Sequence, residues 1–323
     1  MTMKGPRVAT KPLVIQTEDL DPEPAAWLAE RCELVVCSFT SESRFWELLG
    51  SAQGLVVRTY TQVSPALLAR APRLKVVGRA GVGLENIDVG ACRTRGIQVV
   101  HTPGANTRAV VELVTAYLVD ALRPRMYLDG AVGVEEWHRL RRDYVGDREI
   151  GELTLGIYGF GRIGSAMARI GAALNMKVIY NDLLEIPPEI RSGAQPVSVD
   201  RLLAESDVLT VHVDGRKQNA GLLDAAAFGR MNKNALFINA SRGFVIDAAA
   251  LAAFLRANPA ARAMIDVHDP TEPITPGYPL LGLPNARLTP HLASGTRTAK
   301  RNMSWVVRDV WRVLTGEEPE FPA

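Results

Sequence analysis

Thr154-Leu155-Gly156-Ile157-Tyr158-Gly159-Phe160-Gly161-Arg162-Ile163-Gly164 decides the fold: an apolar run reading as a strand runs straight into G-x-G-x-x-G. The residues that follow read as a helix, with Ile163, Met167, Ile170 and Leu174 on one apolar stripe. A strand, three spaced glycines and a helix form a dinucleotide-binding turn. Gly159 makes the tight turn, Gly161 lets a pyrophosphate approach the backbone, and Gly164 lets helix and strand pack closely. The helix N-terminus favours the negative charge. The next strand, Lys177–Tyr180, leads to Asp182, whose carboxylate suits the adenosine ribose hydroxyls. That carboxylate also repels a 2′-phosphate, and Leu183, Leu184 and Glu185 bring no compensating charge, so NAD is expected over NADP.

Working outward, short β-branched runs alternate with helical segments in two series. The second series continues with Val208–Val213, Ala235–Asn239, Ala263–Val267 and Arg287–Thr289. The first precedes it with Leu13–Ile15, Leu34–Cys37, Leu55–Arg58, Leu74–Val77 and Gln98–Val100. Such alternation predicts α/β architecture with two doubly wound parallel sheets. Thr107–Leu122 reads as a long helix, and the charged stretch Arg123–Gly151, with Trp137, reads as the crossing between domains. Met303, Val306, Val310 and Val313 fall at helical spacing and predict one C-terminal amphipathic helix.

The chain has 323 residues, 47% of them hydrophobic, enough for two buried cores. Its 37 basic and 35 acidic residues nearly cancel, with no basic arm, which argues against nucleic acid and anionic membrane as partners. No metal-ligand grouping is visible, and Cys32, Cys37 and Cys92 are an odd set that reads as reduced thiols in a cytoplasmic protein. No signal-peptide core or membrane span is expected: Leu13-Val14-Ile15 is too short, and Ala109–Leu122 is interrupted by Glu112 and Asp120.

Open parallel sheets bind ligands beyond the carboxyl ends of their strands. There the second series presents Asn239-Ala240-Ser241-Arg242-Gly243, then Asp266, then Thr289-Pro290-His291. With Gly78-Arg79-Ala80-Gly81-Val82-Gly83, Thr102-Pro103-Gly104-Ala105-Asn106-Thr107, the glycine turn with Asp182, Ile265-Asp266-Val267 and Glu272-Pro273, these segments occur in the order and spacing of one family. Over nearly its whole length the chain resembles the D-isomer-specific 2-hydroxyacid dehydrogenases, in particular a short, phosphoglycerate dehydrogenase-like form without a regulatory domain.

The resemblance implies a flavodoxin-like substrate domain of residues 1–108 plus 294–323, to which the C-terminal helix returns, and a Rossmann NAD-binding domain of 109–293. It implies NAD as cofactor, held by Gly159, Gly161, Arg162, Ile163, Gly164, Asp182, Ala240, Ser241, Arg242, Asp266 and His291, with Asp266 on the nicotinamide carboxamide. As catalytic residues it implies Arg242, Glu272 and His291. A planar guanidinium suits the carboxylate and carbonyl of a 2-oxo acid. His291 would exchange the proton, and Glu272 would orient its ring and favour its protonated form. His101, His138, His212 and His268 read as ordinary core or surface histidines.

For substrate, the resemblance implies the Gly81, Val82 and Gly83 backbone together with Arg242 and His291. Arg58 and Arg79 add charge that would receive a phosphate or steer any small acid. The implied reaction interconverts a small D-2-hydroxy acid and its 2-oxo acid, with 3-phosphoglycerate and glyoxylate or hydroxypyruvate as the candidates. A non-catalytic NAD(H)-sensing binding protein of the same fold is the alternative. The resemblance also implies a homodimer through the cofactor domain, using the stretch that holds Trp137. Two positions depart from the family pattern: Asp214 replaces the proline after His212-Val213, and His101 replaces an asparagine before Thr102.

Overall fold

Strands form where aliphatic residues are buried on both sides, and two separate sheets result. The computed structural model describes residues 11–323 apart from Pro124 and Thr271. It divides after Asn106 and after Ser294: one compact unit joins the N-terminal part to Gly295–Ala323, and the other is Thr107–Ser294. The charged stretch Arg123–Gly151 is therefore not the crossing that its composition suggests. It lies inside the second unit.

In the first unit β1 (Leu13–Gln16), β2 (Glu33–Val36), β3 (Gly54–Val57), β4 (Val76–Arg79) and β5 (Gln98–Val100) alternate with α1 (Pro22–Ala29), α2 (Glu42–Leu49), α3 (Pro65–Ala69) and α4 (Val89–Thr94). Side chains of Asp21, Ser64 and Asp88 cap α1, α3 and α4. The sheet is parallel throughout, in the order β2-β1-β3-β4-β5. Alternate residues face opposite cores: Ile15, Leu55, Val57 and Val77 pack with Phe45 and Leu49 on one side, and Val14, Val56, Val76 and Val100 pack with Leu28 on the other. β4 begins two residues later than the sequence suggests, because Leu74 closes a turn through its amide to the Ala71 carbonyl.

The second unit opens with α5 (Thr107–Leu122) and α6 (Val134–Asp143). It continues through β6 (Thr154–Tyr158), α7 (Arg162–Ala173), β7 (Lys177–Asn181), β8 (Gln195–Pro196), α8 (Val199–Glu205), β9 (Val208–Val211), α9 (Ala225–Arg230), β10 (Leu236–Asn239), α10 (Ala248–Ala257), β11 (Arg262–Ile265) and β12 (Ala286–Leu288). Its parallel sheet has the order β12-β11-β10-β9-β6-β7-β8. The two-residue β8 is invisible to pattern reading, and its Pro196 is tolerated because the strand lies at the sheet edge.

The chain then returns to the first unit as α11 (Arg297–Ser304) and α12 (Val307–Thr315), two helices where the periodicity predicts one. At the join the amides of Val306, Arg308 and Asp309 reach carbonyls three residues back, a tighter winding than α. The apolar stripe survives the join, since Met303, Val306 and Val310 are all buried. Among the described residues no helix is long and apolar enough to cross a membrane, and no group of three or more His, Cys, Asp or Glu could hold a metal ion.

Candidate active site

Strand order reverses between β6 and β9, and such a switch point leaves a crevice beyond the carboxyl ends of the strands. The glycine turn fills one wall of it. Gly159 has φ +91°, and a Cβ there would lie 2.8 Å from the His212 carbonyl carbon and oxygen and the Val213 nitrogen, so only glycine lets the turn meet the end of β9. A Cβ on Gly164 would reach 2.1 Å from the Gly159 carbonyl oxygen, whereas one on Gly161 meets nothing within 4 Å. The first and third glycines are thus required by the protein's own packing, while the second faces open space at the start of α7. That arrangement fits a diphosphate against the helix N-terminus. Asp182 is fixed beside it, its carboxylate accepting from the amides of Phe160 and, at 2.8 Å, Leu184.

β10, β11 and β12 are neighbours, and their carboxyl ends carry the remaining polar groups. After β10, buried Asn239 shapes the turn to Arg242: its Oδ1 accepts from the Ser241 amide (3.0 Å) and hydroxyl (2.8 Å), and its Nδ2 donates to the Arg242 carbonyl (3.0 Å). Gly243 follows because a Cβ there would sit 2.2 Å from the His268 carbonyl carbon, so this turn packs directly on the backbone that follows β11.

His291 stands after β12 with φ +54°, a left-handed conformation unusual for a side-chain-bearing residue. Its amide donates to the Asp266 carbonyl at 2.9 Å, and its Nδ1 lies 2.7 Å from Glu272 Oε2. Oε1 of Glu272 accepts from the His268 amide at 2.9 Å. The hydrogen bond to Glu272 raises the His291 pKa above the usual 6.5, against burial and the nearby Arg242 charge. Burial alone would raise Glu272, but the bonds from His291 and the His268 amide outweigh it and hold its carboxyl below the ordinary value. An imidazole so paired keeps one ring nitrogen fixed and leaves the other to exchange a proton near neutrality.

Asp266, expected as a nicotinamide contact, is also tied into the protein. It has no exposed surface, and its carboxylate is engaged locally: Oδ1 accepts from Thr289 Oγ1 (2.6 Å), the Leu292 amide (2.7 Å) and the Tyr117 hydroxyl (3.4 Å), and Oδ2 accepts from the Ala293 amide (2.8 Å). Tyr117 and Thr289 also hydrogen-bond each other. Burial pushes the Tyr117 phenol up to about 12. Asp266 thus holds the turn that carries His291. Pattern reading missed Tyr117, whose only signal is a hydroxyl on the buried stripe of α5. His268 is more than a bystander: besides its amide, its Nε2 lies 2.8 Å from the Thr289 carbonyl. His212 stays neutral, its pKa pushed down to about 3 by burial.

In the first unit the switch point lies between β1 and β3, and its mouth is occupied by the protein itself. The Glu18 carboxylate accepts from the amides of Arg58 (3.1 Å), Thr59 (2.8 Å), Tyr60 (3.2 Å) and Thr61 (3.1 Å), and from the Thr61 hydroxyl (3.0 Å). Burial would raise its pKa, but these amides lower it. The Arg58 guanidinium donates to the Asp19 carbonyl at 3.1 Å. Arg79 lies across Gly81, where a Cβ would collide with its guanidinium. Of the three amides in the Gly81–Gly83 loop, that of Gly81 already donates to the Arg79 carbonyl (2.8 Å). His101 Nδ1 lies 2.9 Å from the Val82 carbonyl and Thr102 donates to the Gly81 carbonyl, so both residues pin the loop.

Residues 115–293 match the model of the D-isomer specific 2-hydroxyacid dehydrogenase NAD binding domain. A glyoxylate reductase of Aeropyrum pernix is 35% identical over 93% of this chain and 91% of its own length. The chain belongs to the D-isomer-specific 2-hydroxyacid dehydrogenase family. Within that family it is also 37% identical to a D-3-phosphoglycerate dehydrogenase of Archaeoglobus fulgidus over 80% of this chain, and it spans about half (48%) of that protein's length. The TT0316 protein of Thermus thermophilus has the same fold, with a TM-score of 0.83, 32% identity and coverage of 96% of this chain and 99% of that one. The glycine turn and Asp182 lie in the family's NAD-binding domain, and NAD is its cofactor.

Proposed function

We propose that this dehydrogenase-family chain is an NAD-dependent oxidoreductase that interconverts a small D-2-hydroxy acid and its 2-oxo acid. The observation that carries the reading is the 2.7 Å His291–Glu272 pair, on the same carboxyl rim as Arg242 and the glycine turn. Bound NADH supplies the hydride that reduces C2 of the 2-oxo acid. Arg242 holds the acid's carboxylate and polarises its carbonyl. Protonated His291 gives its proton to the carbonyl oxygen as the carbon–oxygen double bond becomes an alcohol, and Glu272 stabilises the charged ring beforehand. In the oxidative direction neutral His291 takes that proton back. Gly159, Gly161, Arg162, Ile163, Gly164, Asp182, Ala240, Ser241, Arg242, Asp266 and His291 are proposed to line the cofactor, and Asp266 also to position the His291 turn.

Arg58, Arg79 and the Gly81–Gly83 loop are proposed as substrate-binding residues of the first unit. The amides of Arg58–Thr61 already bind an anion, the Glu18 carboxylate, which would repel a phosphate brought to the same loop. This favours an unphosphorylated acid such as glyoxylate or hydroxypyruvate, and the near full-length match to a glyoxylate reductase supports it. NADH oxidation followed with glyoxylate, hydroxypyruvate and 3-phosphohydroxypyruvate tests the reading. Turnover is expected with the first two at higher kcat/KM than with the third; silence with all three refutes the reaction.

A homodimer through the second unit is also proposed. α6 buries none of its residues and exposes Val134 and Trp137, with Tyr127 exposed just before it, an apolar surface that suits a second copy. A reducing, cytoplasmic setting agrees with the three unpaired, buried cysteines.

A further inference from the structure

Asp214, where the family pattern has proline, does not stand alone. Its carboxylate accepts from Arg216 Nε (2.7 and 3.0 Å) and from Nη2, leaving the Nη1 end of the guanidinium outside the pair. Asn219 Nδ2 (2.9 Å) and the Arg216 amide (3.2 Å) fix the same carboxylate. The guanidinium is half exposed yet held in one plane.

Its place in the sheet gives this pair meaning. The loop Asp214-Gly215-Arg216 follows β9, the glycine turn follows β6, and these two strands flank the switch-point crevice. The end of β9 abuts the turn, since the His212 and Val213 backbone blocks any Cβ on Gly159. From the far side of the turn the Asp182 carboxylate still acts on Arg216 through its charge. The loop that carries this cation therefore ends β9, beside the glycine turn and near enough to Asp182 to feel its charge.

We propose that Arg216 is a cofactor-binding residue that supplies a preorganised guanidinium to the phosphate-bearing adenosine half of the dinucleotide, with Asp214 setting its plane. The inference rests on the NAD-binding reading of this unit but not on any substrate. A guanidinium meeting a phosphate forms a charge-assisted contact stronger than an ordinary hydrogen bond. Because Asp214 already orders the side chain, little rotamer freedom is lost on binding.

Equilibrium binding by calorimetry, with no acid substrate present, tests it on wild type, Arg216→Ala and Arg216→Lys, using NADH, ADP, adenosine and nicotinamide mononucleotide as ligands. Arg216→Ala is expected to weaken NADH and ADP about tenfold. It should change adenosine and the mononucleotide less than twofold, and Arg216→Lys should fall between, keeping the charge but not the fork. Thermal melts of the free proteins establish that the variants are folded. If ADP binds wild type and Arg216→Ala within twofold of each other, the assignment is overturned while the cofactor reading stands. If wild type binds neither NADH nor ADP, both fall.

Discussion

The two units obey one topological rule and use it oppositely. Each is a parallel sheet whose strand order reverses once, β1 against β3 in the first unit and β6 against β9 in the second, and each reversal opens a crevice at the carboxyl edge. In the second unit glycines keep the mouth clear, and Gly161 faces space. In the first, the Glu18 carboxylate spans the mouth and takes the amides of Arg58–Thr61, while Thr17 and Thr61 hydroxyls join at 2.7 Å behind it. An anion-binding nest is thus either left for a ligand or filled by the chain's own side chain, and the choice decides which crevice can take a dinucleotide.

The largest way to break this contrast is to remove the chemistry from the open unit. His291→Ala should lower kcat by roughly 10²- to 10⁴-fold, the usual contribution of a positioned acid or base, with NADH affinity unchanged; loss of only a few-fold would remove His291 from the reaction.

Next is the closed unit. Glu18→Gln places an amide –NH2 against backbone donors and should destabilise the protein by about 2 kcal/mol, seen as a lower urea midpoint, while NADH still binds. Because the folded pKa of Glu18 lies below its ordinary 4.5, its stabilisation is complete above that value and is lost as pH falls through the lowered one. The acid limb of wild-type stability should therefore flatten in the variant.

A smaller effect sharpens the account of the rim. The folded pKa of His291 is raised, so the pair contributes fully below the ring's ordinary value and fades as pH rises through the raised one. Reduction, which needs the protonated ring, should fall along an alkaline limb lying above 6.5, and Glu272→Gln should move that limb downward. An unmoved limb means that some other group sets it. Smallest of all, Tyr117→Phe should cost about 1 kcal/mol in a thermal or urea melt, through the hydroxyl lost from Thr289 and Asp266.

Much of the second unit was legible because its signals are local. Gly159 to Asp182 lie within one βαβ segment, and Arg242, Asp266 and His291 each follow within three residues of a short strand. What stayed hidden depends on distant backbone. Glu18 looks like any loop acid until β1 and β3 pair and bring it to amides 40 or more positions away. The support that Asp266 receives from Tyr117 on α5, 149 positions earlier, likewise shows only in the folded chain. Asp214 was visible as a departure from the family pattern, but its pairing with Arg216 shows only in the folded loop.

Hydrogen–deuterium exchange with and without NADH, in the absence of any acid, tests the contrast most directly. The account predicts new protection in the peptide covering Gly161–Gly164 at the start of α7, with Arg58–Thr61 unchanged because Glu18 already holds those amides. Protection that appears at Arg58–Thr61 while the glycine turn exchanges as before would contradict it.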